Sequence, residues 1–131
     1  MDAATRRLVQ MRAGFRCEYC RIHEDDDPYA FHVEHIVAKK HDGKDDLFNL
    51  AWSCQNCNLA KGSNLSGRVL GQIVTLFHPR KQNWKRHFRW DGPVLVGKTS
   101  CRKATIRVLN MNDDDRVRLR ELLIALGTFP P

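Results

Sequence analysis

The chain has 131 residues, 42% of them hydrophobic, and a formal net charge of +7. That length supports one domain with a modest core, small enough for a structural metal to add to its stability. No run of about 18 apolar residues occurs and the opening MDAATRRLVQ lacks a signal peptide's hydrophobic segment, so the expected setting is cytoplasmic, with no membrane partner.

Ala3 to Ala13 sets Leu8, Val9 and Met11 among arginines, which predicts a short amphipathic helix with Gly14 just past its end. In FRCEYCR a two-residue spacer lets Cys17 and Cys20 point at one ion. Glu24 to Pro28 is a solvated acidic loop. Phe31 to Ala38 carries Phe31, Val33, Ile36 and Val37 and predicts a strand, followed by a long loop that turns at Asp42-Gly43. Leu47 to Trp52 is a second strand or a helical turn. From Cys54 onward, QNCNLAKG predicts a second knuckle running into a short helix near Gly62.

Beyond a Ser/Gly/Asn joint from Ser63 to Gly67, RVLGQIVTLFH places Val69, Leu70, Ile73, Val74 and Phe77 at helical spacing, with Pro79 as the stop. Lys81 to Trp90 interleaves Trp84, Phe88 and Trp90 with Lys85, Arg86 and Arg89. Val94 to Val96 and Ala104 to Leu109 predict two β runs joined by GKTSCRK. The last segment offers Asn112 or Asp113 as a helix cap and sets Leu119, Leu122, Leu123 and Leu126 on one face.

Four of the five cysteines fall into two Cys-x-x-Cys pairs. In a chain without an export signal they point to metal rather than disulfides, because cytosolic thiols stay reduced. Cys17, Cys20, Cys54 and Cys57 fill a tetrahedral zinc shell, which leaves no open position and makes the zinc structural. Cys101 is left over.

Val33-Glu34-His35-Ile36, then Asn49-Leu50, then Cys54-Gln55-Asn56-Cys57-Asn58 with Lys61-Gly62, together with the cysteine pairs, resemble the HNH endonuclease family. The resemblance covers roughly Cys17 to Gly62 and implies a ββα-metal (His-Me finger) core, two strands and a helix around one catalytic divalent ion. It also implies cleavage that leaves a 5′ phosphate, and a role for Asn49 in bracing the loop that orients His35. Glu34 stands where the family more often has Asp. Asn58 stands where it more often has His, as in the HNN subgroup.

Chemistry points the same way. Phosphodiester hydrolysis needs a base for the water, positive charge for the transition state and a grip on the phosphate. His35 is the candidate general base, since an imidazole is largely neutral at working pH. Glu34 and Asn58 offer oxygen ligands to a hard ion, Mg²⁺ or Mn²⁺. Neighbouring residues on a regular strand face opposite sides, so Glu34 and His35 share one centre only if the strand bends or ends there. His32 lies on Glu34's side as a further ligand or a plain strand histidine.

Charge is unevenly spread. Met1 to Ala60 carries 8 Lys/Arg against 10 Asp/Glu, whereas Lys61 to Arg107 carries 11 against Asp91 alone. Basic side chains neutralise phosphates and release counterions. Lys61, Arg80, Lys81, Lys85, Arg86 and Arg89 are the candidate phosphate contacts, while Trp84, Phe88 and Trp90 either stack on bases or pack a core.

The sequence therefore predicts an α+β protein, a single domain over 1–131, with an HNH core at about 15–65 stapled by a four-cysteine zinc site and an α/β C-terminal extension over about 66–131. Its expected activity is metal-dependent DNA cleavage. The competing readings are a non-catalytic zinc module that binds nucleic acid and a phage or packaging factor active only with a partner. Monomer and homodimer both stand open, the leucine face of the last helix serving either core or interface.

Overall fold

Asp2 opens the first helix by accepting a hydrogen bond from the Thr5 amide at 2.7 Å, and α1 (Ala3–Arg12) follows. The computed structural model describes residues 1–131. The chain forms two compact units, one of residues 1–64 with 78–81 and one of residues 65–77 with 82–131.

In the first unit β1 (His32–His35) and β2 (Leu50–Ser53) pair antiparallel, with His32 opposite Ser53 and His35 opposite Leu50. Every residue of β2 is buried, which suits a strand with α1 against it. Of Leu8, Val9 and Met11 on α1 only Val9 is buried; Leu8 and Met11 stay exposed. Cys54 accepts from the Cys57 amide and starts α2 (Gln55–Lys61), which packs on β1. The loop between the strands holds two 3-10 turns, Lys39–His41 and Leu47–Asn49.

The second unit departs from the sequence expectations in three places. Val69 to Phe77 is not a helix. It is a hairpin of β3 (Ser66–Val69) and β4 (Gln72–Thr75), closed by Leu70 and Gly71, which both have positive φ. Two central residues at positive φ make the turn whose twist matches paired strands, and glycine at the second of them is the signal that helical spacing masked. Ala104 to Leu109 is not a strand either, because α4 (Ser100–Val108) covers it and buries Ala104 and Thr105. The Thr105 hydroxyl accepts from the Phe77 amide and donates to the Cys101 carbonyl, both at 2.8 Å, so packing against β3, β4 and β6 overrides the β-branched preference.

Between them lie α3 (Trp84–His87), β5 (Phe88–Asp91) and β6 (Val94–Gly97), the two strands forming a hairpin of their own. Trp84 and Phe88 are buried and stacked with ring centroids 5.0 Å apart, so both pack the core. The third departure is in α5 (Asp114–Ala125), whose buried face is Arg116, Arg120 and Leu123, while Leu122 and Leu126 are exposed. Arg120 is fully buried because it donates to the Pro93 carbonyl at 2.6 Å and to the Met111 carbonyl and Asn112 Oδ1 at 2.9 Å. No helix is long and apolar enough to cross a membrane.

Candidate active site and metal centre

The four paired cysteines converge. Their sulfurs lie within 4.8 Å of one another, all buried, with Cys20 and Cys54 Sγ 3.8 Å apart. A tetrahedral zinc with Zn–S bonds of about 2.3 Å has S···S edges of about 3.8 Å, the Cys20–Cys54 separation, so the cluster has the donors and about the size for zinc. Backbone amides already point at the sulfurs: Tyr19 and Cys20 donate to Cys17 Sγ at 3.4 Å, and Cys57 donates to Cys54 Sγ at 3.3 Å. Hydrogen bonds with Cys17 and Cys20 are the largest cause pushing the Cys54 and Cys57 thiols up in pKa. A bound cation reverses that preference by stabilising the thiolates. Cys101 sits on α4, half-exposed, outside this cluster.

Glu34 and His35 do not share a face. The strand stays regular through both, so Glu34 turns inward and His35 outward. Glu34 is 4% exposed, its Oε2 accepting from the Tyr19 hydroxyl at 2.6 Å and its Oε1 lying 2.5 Å from the Lys61 ammonium. That second contact combines charge attraction with a hydrogen bond from the ammonium. Burial raises the Glu34 pKa, and the Lys61 charge works against the rise. Lys61 is itself 2% exposed and also donates to the Ile36 carbonyl at 2.9 Å. Lys61, expected from the sequence to contact a phosphate, has its ammonium enclosed by a carboxylate and backbone carbonyls. Asn58 is half-exposed on α2, one turn before Lys61, and His32 is half-exposed at the start of β1.

His35 points instead at a residue that the motif reading missed. Its Nε2 is 2.7 Å from Asp45 Oδ1, and Lys39 stands 3.3 Å from the same oxygen. The hydrogen bond from His35, followed by that from Lys39, lowers the Asp45 pKa, so the carboxylate is charged. Only the tertiary contact reveals Asp45; in the sequence it is one acid in a polar loop.

Asn49 sets the loop that carries Asp45. Its Oδ1 accepts from the Val37 amide at 2.9 Å, and its Nδ2 donates to the carbonyls of Val37 at 3.0 Å and Lys44 at 2.8 Å. Both ends of the loop are thereby held together. Gly43 completes the fit, because a Cβ there would overlap the Val37 and Ala38 carbonyl oxygens. Gly43→Ala should cost about 1–3 kcal/mol in urea unfolding, the usual penalty for overpacking. An unchanged midpoint would mean that the loop is not held this close.

The remaining basic candidates divide. Lys81 in the first unit, and Lys85, Arg86 and Arg89 in the second, are exposed and available to a polyanion. Arg80 is not; it is largely withdrawn and forms an ion pair with the buried Glu18, whose other oxygen accepts from the Trp52 amide at 2.8 Å. Like Lys61, it is engaged by a carboxylate.

Residues 17–64 match the family model described as HNH endonuclease. Over 126 residues the chain is 29% identical to Septu protein PtuB of Bacillus thuringiensis, an alignment covering 93% of this chain and 46% of that protein. The chain thus spans less than half the length of this curated relative. No solved structure is a significant match. All four cage cysteines, Glu34, His35, Asn49, Asn58 and the newly placed Asp45 fall inside the matched span, so the first unit is built around a segment that matches the HNH endonuclease family.

Proposed function

We propose that this protein is a DNA endonuclease that hydrolyses phosphodiester bonds with His35 as general base. The observation that carries this reading is the His35–Asp45 pair, an imidazole with 23% of its side chain exposed held by a charged carboxylate at 2.7 Å. β1, β2 and α2 follow in the order of a ββα-metal finger, and the zinc cage fixes where α2 begins. A carboxylate on Nε2 selects the tautomer with its proton there, which leaves the Nδ1 lone pair to take a proton from water. The imidazolium so formed is stabilised by Asp45. Asn49 acts one step back, by holding the loop that carries Asp45.

Glu34 and Asn58 are the sequence-predicted oxygen ligands of a catalytic Mg²⁺ or Mn²⁺, and the donor set does not fit that role as it stands. Both Glu34 oxygens are engaged, one by Tyr19 and one by Lys61, and the carboxylate is nearly inaccessible.

Nicking of supercoiled plasmid by zinc-loaded protein, with Mg²⁺, Mn²⁺ or no added ion, tests the reading. His35→Ala should lower the rate by about 10²- to 10⁴-fold, the usual contribution of a general base. Asp45→Asn should lower it by about tenfold or more, and both variants should still bind DNA. Cutting that survives His35→Ala would sink the assignment.

The engaged state of Glu34 favours one second reading, a nuclease whose centre is completed only in a larger assembly. Tight DNA binding by the wild type without cleavage under any ion would select it.

A further inference from the structure

An open cleft of about 240 Å³ lies in the first unit, lined among others by Lys44, Asp46, Phe48, Asn49, His78 and Lys81. It adjoins the candidate base through the loop itself: Asp45 reaches His35, while its neighbours Lys44 and Asp46 line the cleft. The segment 78–81 belongs to this unit although the chain has by then left it, so His78 and Lys81 are brought to the cleft by the fold.

Three features define what the cleft would hold. Phe48 is 56% exposed and lies beside the His78 ring, with centroids 5.7 Å apart and planes inclined at 38°. An aromatic left that open is a stacking surface rather than core. Lys44 and Lys81 are both exposed, so each ammonium can turn toward a phosphate. The two acids on the wall, Asp42 and Asp46, are opposing charges that the phosphate must avoid; Asp46 also accepts from the Asn49 amide at 3.1 Å, which fixes its side chain. Burial and the Lys81 charge hold His78 below its ordinary pKa range, so its ring is neutral at pH 7.

Size narrows the ligand. The cleft is smaller than the roughly 300–1,000 Å³ of typical small-molecule sites and lacks their apolar enclosure. It suits one planar base against Phe48 with its phosphate between two lysines at the rim. A base in a duplex is stacked on both faces and cannot present one to a protein ring without leaving the stack.

We infer that this cleft is a nucleotide subsite, which takes one unpaired nucleotide of a DNA strand by stacking its base on Phe48 and pairing its phosphate with Lys44 and Lys81. The inference rests on the nucleic-acid part of the proposed function and adds to it the substrate class, a strand that is single or locally opened beside the bond to be cut.

The test uses the full chain, zinc-loaded, in a His35→Ala background, so that binding is read without cleavage. The probes are a single-stranded oligonucleotide bearing one 2-aminopurine, the same strand with an abasic site there, and the matching duplex. Phe48→Leu should weaken single-strand binding by roughly 5- to 150-fold, the range for loss of one stacked base, and change duplex binding little. The 2-aminopurine fluorescence should change on binding, and the change should disappear in Phe48→Leu. Lys81→Ala should reduce the salt slope of single-strand binding by about 0.7, one phosphate contact. Because Phe48 and Lys81 are exposed, melting temperatures should stay at the parent value.

Equal affinity for the abasic and intact strands, or equal loss on strand and duplex in Phe48→Leu, would overturn the subsite while leaving the nuclease reading intact. Absence of DNA binding by the parent would overturn both, and the cleft would then be free for a protein partner.

Discussion

Replacing Cys57 with serine should strip the zinc and unfold the first unit. The cage holds four buried sulfurs within 4.8 Å, and serine cannot supply a thiolate near neutral pH. A structural zinc contributes an apparent 10–16 kcal/mol or so in small zinc-binding domains, against a total stability of about 5–15 kcal/mol for a typical domain. The metal term is as large as the whole margin, so even part of its loss is decisive. Zinc content measured by atomic absorption should fall from one ion per chain to less than a tenth of that. The thermal transition of the first unit should broaden or vanish, and a strong chelator should do the same to the wild type. Cys101→Ser is the control: its half-exposed thiol lies outside the cluster, so zinc should be retained and stability changed by only about 0.5 kcal/mol. A Cys57→Ser protein that keeps its zinc and melts like the parent would refute the cage.

Lys61→Met should destabilise the protein by about 3–5 kcal/mol, the typical consequence of leaving one member of a buried ion pair without its partner. Glu34, 4% exposed, would keep the Tyr19 hydroxyl as its donor but lose its cation. For a chain of this size that loss lowers the melting temperature by about 10–20 °C. The double variant Glu34→Gln/Lys61→Met should recover most of it, because glutamine still accepts from Tyr19 and no charge remains buried. Such recovery is expected on magnitude: the attraction within a buried pair and the cost of drying both charges are of similar size, so removing both changes little. The same variants test whether Lys61 meets a phosphate; as a buried partner of Glu34 it should leave the salt dependence of DNA binding unmoved. A Lys61→Met protein as stable as the parent, or one with a reduced salt slope, would return the lysine to the surface.

The pairing of Glu34 with Lys61 also explains why adjacent motif residues do different work. Strand β1 is regular and paired along its length with β2, so its alternation sends Glu34 into the unit and His35 out of it. The strand rule raised that difficulty in advance. What occupied the inner face was not legible, because Tyr19 and Lys61 are separated from Glu34 by 15 and about 27 residues and nothing local marks them as its partners. Asp45 was hidden for the same reason: it reaches His35 across a loop whose shape depends on Asn49 and Gly43.

Chemistry carried by residue type and short spacing was readable from the chain alone. Cys-x-x-Cys turns fold around a metal through their own backbone, so the two pairs announced the cage. The His35, Asn49 and Asn58 positions came from the same kind of ordered motif, and the helix cap at Asp113 is a local hydrogen bond. Decisions that depend on what packs opposite were not readable. Val69 to Phe77 fits both a helical and a strand period, and Ala104 to Leu109 has β-branched residues that a helix tolerates once β3, β4 and β6 lie against it. Which lysine is buried, which acid holds the histidine and which face of α5 turns inward were settled by tertiary structure, because each depends on desolvation and pairing with groups remote in sequence.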